Sequence, residues 1–573
     1  MGTRQFTVQL ARRTSSTFTS LPLLLAAAAA AGQPKPDAVP TSLTNASAVY
    51  SVPAASQPGY LTSVTDPTFH STLMRITPDA GVSTAPVSGT WGTDTRHHYS
   101  KDEPWSADGA SYCLENRGGG SPSPLILDGK TFQPLFSVPA SAGLYDYRWH
   151  PAVAHAHEMI SVNSAGTELA WVDVTSGRRT RTWTLPFAAA GFGAGEGNAS
   201  QDGRFVAVNS ATQMVVIDMD PQPPYAAYPN RRIGPVYTFP ACSLSVSDPS
   251  TCRIGNLSVS ASGKYVDVKY SGSDSETEDV HRIYEVDPAT LALSPHRMAQ
   301  GSVRNATFAD RPNGWIFGLK HADMTLDPFD GNEDVIVGGR SNPSSSIGHV
   351  VKVRLRDGKV TALTDPTNEA SVLHVSARSR NRPGWAYVSY FEVSGARFSD
   401  ELVAVKLDGS RQVERYAHLH SVTSGCYRCE QHPVPSPDGG MIAFASNWAQ
   451  DCGSGCGSAS LIKDYVILSA SAGVADAGVP PRPASGGVAL ARVWPNPAGL
   501  PLDVAFALPA DAPARLELLD VAGRSVLADD LGASGAGAFE ASLGEGSTLR
   551  PGTYWLRLSQ GGGQAVSRVV FLQ

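Results

Sequence analysis

Histidine, tyrosine and arginine recur in this sequence where an apolar strand is about to begin. Arg96-His97-His98-Tyr99-Ser100-Lys101 precedes one such strand and Tyr147-Arg148-Trp149-His150 opens another. Glu196 and Asn198, Arg253 and Asn256, Arg304 and Asn305, and His374 stand at the next four. His418, His420, Tyr427, Gln431 and His432 crowd before the last, and His321 with Asp323 follows the fifth. Such a set suits two chemistries. β-Elimination from a uronic acid needs a cation to neutralise the sugar carboxylate and so acidify C5–H, a base for that proton, and an acid for the leaving oxygen. Metal-assisted hydrolysis needs a tighter shell of His and Asp around a metal-bound water. For any one histidine, bonding a loop carbonyl is the plainer role, so the suggestion rests on the group.

The elements that would gather these residues form a weak internal repeat. Its unit is an apolar or aromatic start, a polar hairpin rich in Asp, Gly or Asn, and a returning strand of alternating apolar residues. Trp105 to Leu114, Trp149 to Val162, Asn198 to Val208, Leu257 to Val268, Ala306 to Gly318, Val375 to Tyr390 and Pro433 to Ser446 all fit it. Several are followed by a strand ending in an Asp turn, as in Trp171-Val-Asp-Val-Thr-Ser-Gly and Ala404-Val-Lys-Leu-Asp-Gly. Asp and Gly meet the dihedral demands of tight hairpins. Two hairpins per unit give four strands, so the expected fold is all-β: a seven-bladed β-propeller over 61–470 whose inner strands converge on a central channel. The early strand near Ser71–Thr77 is expected to complete the last blade.

The flanks read differently. Arg4, Arg12 and Arg13, then Leu21–Leu25 and the alanine run to Ala31, describe a secretory signal over 1–32, followed by a linker over 33–60. No other segment is apolar enough to span a membrane. A formal net charge of −7 leaves no basic face for nucleic acid. Export implies an oxidising compartment, so disulfides are expected for Cys242 with Cys252 and within the cluster Cys426, Cys429, Cys452 and Cys456, with a four-thiolate zinc site as the alternative. Cys113 reads as a buried thiol. A linker rich in Pro, Ala and Gly spans 471–487, and 488–573 forms a small immunoglobulin-like β-sandwich.

Within that sandwich Trp494-Pro-Asn-Pro, Ala514 to Val526 and Leu549 to Leu558 resemble the C-terminal sorting domain of type IX secretion substrates and the related domain of flagellar hook-capping proteins. The resemblance implies contact with secretion machinery and a secreted or outer-membrane surface-attached monomer; a generic accessory sandwich is the alternative. In the propeller, His418-Leu-His420, Gln431-His432-Pro-Val434-Pro-Ser-Pro-Asp-Gly439 and Phe444 to Trp448 resemble the last blade of oligogalacturonate lyases, seven-bladed propellers that hold a metal through histidines and a glutamine. Gln431 and His432 match that motif, His420 matches more loosely, and Val434 stands where the family has a further histidine. With His321 these residues form the expected divalent-metal ligand set. His98-Tyr99-Ser100-Lys101 with Pro104-Trp105, Tyr147 to Pro151, and Arg382-Pro-Gly-Trp385 resemble the ulvan-lyase type of propeller. That resemblance implies His98 and His150 as general base or acid, Tyr99 or Tyr427 as phenolic partner, and Arg253 or Arg304 as the cation on the carboxylate of a polysaccharide or oligosaccharide substrate. A non-catalytic propeller that binds glycan or protein is the competing reading, because propeller repeats of periplasmic translocation proteins share the Ser436 to Gly439 hairpin. No Gly-x-Ser-x-Gly followed by a hydrolase domain supports a peptidase.

Overall fold

The repeat owes its regularity to one turn. At Ser106, Ser200 and Ser436 the hydroxyl donates to the Asp two residues on (2.7, 2.5 and 2.6 Å) and accepts from the backbone N–H five residues on. The following Gly109, Gly203 and Gly439 have φ of 70°, 77° and 69°, a left-handed conformation in which a Cβ would be strained. Each turn launches a strand that is apolar on both faces. In Phe205–Asn209, for instance, Val206, Ala207 and Val208 are all buried, as expected of a strand packed from two sides.

The structure is a computed structural model that describes residues 44–193, 195–239, 253–271, 280–298, 315–316, 318–340, 349–377, 380, 382–449, 461–468, 488–494, 502–510, 512–533, 537–544 and 549–571. The chain divides into two compact units, Met1–Ser471 and Ala472–Gln573.

The first unit is a seven-bladed β-propeller. Blade one holds Asp94–Arg96, Ser111–Arg117, Leu125–Asp128 and Pro134–Ser137, and blade two Asp146–Trp149, Glu158–Val162, Glu168–Asp173 and Arg179–Thr184. Blade three is built on Phe205–Asn209 and Gln213–Asp218, and blade four on Arg253–Val259, Tyr265–Ser271 and Val280–Val286. Blade five runs Leu319–Asp327, Glu333–Arg340, Val350–Arg354 and Val360–Ala362, and blade six Val372–Ser376, Trp385–Tyr390, Glu401–Lys406 and Val413–His418. Blade seven takes Val434–Pro435, Met441–Ser446 and Ile462–Leu468 from late in the chain and Thr72–Arg75 from early in it, the latter pairing antiparallel with Ile462–Leu468.

Apolar cores between consecutive blades show that the ring is closed. Trp171 and Ile160 of blade two pack with Val206 of blade three, and Val335 of blade five with Val375 and Val403 of blade six. Tyr387 and Leu402 of blade six meet Phe444 and Tyr465 of blade seven. Ala443 and Val466 of blade seven then meet Tyr112 and Leu114 of blade one, and Ile126 of blade one meets Met159 of blade two. Closure leaves no blade with an open face.

The segment expected to be a linker over 33–60 is, from its first described residues, fastened to the ring. Arg397 donates to Ala46 O (2.6 Å), Trp448 to Ala55 O (2.9 Å) and Gln57 to Tyr465 Oη (2.8 Å). Arg415 donates to Asn45 O and Ala48 O while both its remaining nitrogens bond Glu401 at 2.7 and 2.5 Å. Backbone carbonyls of a polar, irregular segment thus satisfy buried guanidiniums, a pairing that composition does not reveal. Cys426 and Cys429 are bonded to each other, which uses up two of the four thiols that zinc would need; Cys242, Cys252, Cys452 and Cys456 lie outside the described residues. Cys113 is a free, half-buried thiol.

One buried carboxyl makes stability depend on pH. Glu369 accepts from Tyr390 Oη (2.9 Å) and Thr364 Oγ1 (3.0 Å), and burial, only partly offset by these bonds and by Arg397, pushes its pKa up to about 8. Its folded pKa exceeds its unfolded one, so its contribution is complete below about pH 4.5 and lost as pH rises through about 8. Burial acts in the same direction on Glu401, raised to about 7. We expect Glu369→Gln, which keeps both acceptor bonds, to flatten the fall in unfolding free energy between pH 5 and 8 by up to about 1.4 kcal/mol per pH unit, measured by urea denaturation.

The second unit is an immunoglobulin-like sandwich. Ala489–Trp494, Leu502–Leu508 and Gly537–Leu543 form one sheet, and Ser525–Ala533, Pro513–Leu519, Gly552–Gln560 and Gly563–Phe571 the other. Alternate residues such as Val504, Phe506, Leu516, Leu518, Leu556 and Leu558 fill the space between them. No helix among the described residues is long and apolar enough to cross a membrane.

Candidate functional site

Three histidines meet where the inner strands of blades five, six and seven begin. His374 interrupts the wholly buried strand Val372–Ser376 at a bulge, and His321 sits at another bulge in Leu319–Asp327. Bulges re-aim side chains, and here both histidines turn to one place, their rings 4.3 Å apart. His432, just before Val434–Pro435, brings its ring to 3.9 Å from that of His374. His321 and His432 have φ of 49° and 45°, a conformation costing a non-glycine residue roughly 1–2 kcal/mol that the surroundings must hold.

Tyr99 completes the cluster. Its ring lies 4.5 Å from His432 and 5.2 Å from His374, and its hydroxyl is 3.4 Å from His321 Nδ1. Burial first, then Glu196 and Tyr427, holds its pKa well above the ordinary phenol, so it keeps its proton. Tyr427, 57% exposed, bonds Tyr99 from the solvent side, with its ring 6.3 Å from His432. Glu430 Oε2 stands 3.5 Å from His374 Nε2, and the donor atoms of His374, Glu430 and His432 all lie within 4.8 Å of one another.

The polar atoms of this cluster are conspicuous for what they do not bond. Both ring nitrogens of His374 and His432, Oε2 of Glu430 and Oε1 of Gln431 are buried without a hydrogen-bond partner. Each such atom costs about 1–3 kcal/mol, and those of His374, Glu430 and His432 gather in one place. Burial, followed by neighbouring cationic groups, pushes the pKa of His321, His374 and His432 well down, leaving neutral rings with lone pairs to offer. The donor set of imidazole nitrogens and a carboxylate oxygen fits a divalent cation.

Charge on the neighbouring wall comes from blades one, three and four. Lys101 Nζ lies 3.4 Å from Glu196 Oε2, and Asn256 donates to the same oxygen at 3.2 Å. Burial alone would raise the pKa of Glu196, but Lys101, Asn256 and Lys269 outweigh it and keep the carboxylate below its usual range. His98 forms the outer edge. Its Nδ1 bonds the Asp102 carboxylate, which Arg148 Nε approaches to 2.6 Å, and its ring, about one third exposed, lies 6.4 Å from that of Tyr99.

Of the residues singled out in the sequence, the structure therefore brings together Tyr99, Tyr427, His321 and His432, with His98 at the rim; Gln431 adjoins His432 in the chain and is buried. It does not bring His150 or His420 there. The inner strand of blade two is Asp146–Trp149, so His150 follows it and lies at its far end, packed on His155 and Trp171 at 4.5 and 4.3 Å. His420 leaves the outer strand of blade six and stacks on Trp448 at 4.4 Å. The Arg253 side chain and all of Arg304 lie outside the described residues. Sequence reasoning did not propose His374 and Glu430 as ligands. A lone histidine in Val372-Leu-His-Val-Ser and a carboxylate abutting Gln431-His432 were the available signals.

No family model matches this chain, and no curated protein matches it. Among solved structures it is similar to an oligogalacturonate lyase in complex with manganese, at 12% identity and a TM-score of 0.40 over 73% of this chain and 98% of that one. It is similar to an oligogalacturonate lyase from Vibrio parahaemolyticus at 12% identity and a TM-score of 0.42 over 72% and 98%. It is also similar to the Cps50 β-propeller domain of Myceliophteria thermophila at 11% identity and a TM-score of 0.35 over 65% and 98%.

Proposed function

We propose that this propeller is a polysaccharide lyase that cleaves a uronate-containing glycan by β-elimination. The observation that carries the proposal is the cluster of unbonded, buried donor atoms from His374, Glu430 and His432 beside the protonated phenol of Tyr99. His374, Glu430 and His432 would hold a divalent cation, with His321 and Gln431 adjoining it, and that cation would neutralise the uronate carboxylate and acidify C5–H. Lys101 and Lys269 add positive charge on the same wall. His98, with Nδ1 engaged by Asp102, presents Nε2 as the base for the C5 proton. Tyr99 keeps its proton until the departing glycosidic oxygen needs it, and Tyr427 supports that phenol and offers an exposed ring to a sugar face. We propose further, on the Trp494-Pro-Asn-Pro resemblance, that the sandwich engages secretion machinery and that the monomer works outside the cell.

The test is a panel of polygalacturonate, oligogalacturonates, ulvan, alginate and glycosaminoglycans with Mn²⁺ present, followed by the ultraviolet absorbance of the new C4=C5 bond. We expect one polymer to give a signal and His98→Ala to lower it about 100-fold, in the range of a lost general base, with glycan affinity preserved. Binding without absorbance across the panel would leave a non-catalytic glycan binder.

A further inference from the structure

Behind the histidine cluster lies a fourth histidine that does not touch solvent. His97 is fully buried, and so are its partners Asp464, Tyr112 and His432. Its Nδ1 lies 2.8 Å from Asp464 Oδ1, and its Nε2 lies 2.6 Å from the backbone oxygen of His432. Because a carbonyl can only accept, Nε2 is the donor. Asp464 is fixed in turn: its Oδ2 accepts from the His97 backbone N–H at 2.7 Å and from Tyr112 Oη at 2.6 Å.

We propose that His97 is a positioning residue for the cation-binding histidine His432; the inference rests on reading His374, Glu430 and His432 as a ligand set. The argument starts from His432's backbone. With φ at 45°, this residue occupies a conformation that a non-glycine side chain holds only when its surroundings insist. The bond to its carbonyl fixes the peptide plane on its C-terminal side, and the Ala445 N–H donating to Gln431 O at 2.8 Å fixes the plane on the other. Together they set the direction in which the His432 ring leaves the chain. The ring itself makes no hydrogen bond, so nothing but packing and this backbone clamp aims it. Asp464 aims His97 as a carboxylate aims a metal-ligating histidine elsewhere, but here one step further from the cation and through a carbonyl. The chain of contacts also joins distant parts of the sequence. His97 is 335 residues from His432 and 367 from Asp464, and Asp464 lies in Ile462–Leu468, the strand that closes the ring.

Two substitutions separate aiming from filling space. In His97→Gln the side-chain amide nitrogen can stand where Nε2 stood and still donate to His432 O. In His97→Asn the amide reaches only as far as Nδ1, keeping a contact to Asp464 and losing the one to His432. Both leave a gap in the same buried place, so both lower the melting temperature. The full chain is titrated with Mn²⁺ by calorimetry, and amide hydrogen exchange is followed at Gln431, His432 and Val434. We expect His97→Asn to weaken Mn²⁺ binding 10–100-fold and His97→Gln to stay within about threefold of the native chain, as for loss and retention of an orienting bond, with faster exchange of the three amides in the Asn variant alone. Equal losses in both variants, or unchanged exchange in His97→Asn, overturn the proposal. A native chain that takes up no Mn²⁺ instead overturns the ligand reading, and the exchange result then decides the role of His97 by itself.

Discussion

On the proposed ligand set, His374→Ala is expected to abolish Mn²⁺ binding while leaving the propeller folded. The expectation follows from its place at the middle of the donor set, 3.9 Å from His432 and 4.3 Å from His321 ring to ring, with Glu430 at 3.5 Å. Loss of a group that only orients a ligand costs 10–100-fold in metal affinity, so loss of a ligand costs more than about 100-fold. Folding survives because the deletion also removes two buried nitrogens that have no hydrogen-bond partner. What the strand loses in packing it partly recovers in desolvation. Calorimetric titration with Mn²⁺ and the melting temperature of the same sample separate the two effects. Retention of native Mn²⁺ affinity by the alanine variant would show that the cation, if bound, sits elsewhere.

Arg415→Ala costs about 3–5 kcal/mol of folding stability, the usual penalty for leaving a buried charge without its partner. Arg415 and Glu401 are both fully buried, and the guanidinium also stacks on Tyr50 at 4.4 Å and Phe398 at 5.0 Å. The variant leaves the buried Glu401 carboxyl without its partner and releases the carbonyls of Asn45 and Ala48. Arg415→Met with Glu401→Leu removes both charges and is expected to lose much less, because similar-sized apolar pairs often match a buried ion pair. Urea denaturation of the two variants measures the difference. A loss below about 1 kcal/mol for Arg415→Ala, the range of exposed pairs, would show that the N-terminal segment does not seal this pair from water.

The architecture was legible because blade boundaries are written in turn chemistry. The Ser-x-Asp-Gly hairpins at Ser106, Ser200 and Ser436 are local, and local rules decide them. The site was less legible because its geometry hangs on where each inner strand starts. Taking Trp149 as a strand opening places His150 in the channel, whereas the strand in fact begins at Asp146 and carries the histidine to the opposite end. His374 was placed at the start of its blade but not read as a ligand, for the converse reason. In an unbroken apolar run it reads as a buried strand residue, and only the bulge beside it turns it inward. Gln431 and His432 stand just before Val434–Pro435 and Tyr99 just after Asp94–Arg96, and such short connections left little room for error.

The way blade seven is made, from Thr72–Arg75 and the late strands ending at Leu468, bears on when the site comes into being. Tyr99 and His321 are 222 residues apart, and the pairing that closes the circle joins the early and late ends of the unit. Contacts of such sequence separation form late, since the chain gives up loop entropy before they repay it. A partly synthesised chain can hold several finished blades before Tyr99 and His321 come within reach of each other. In those terms the donor cluster reports closure of the ring rather than the folding of any one blade.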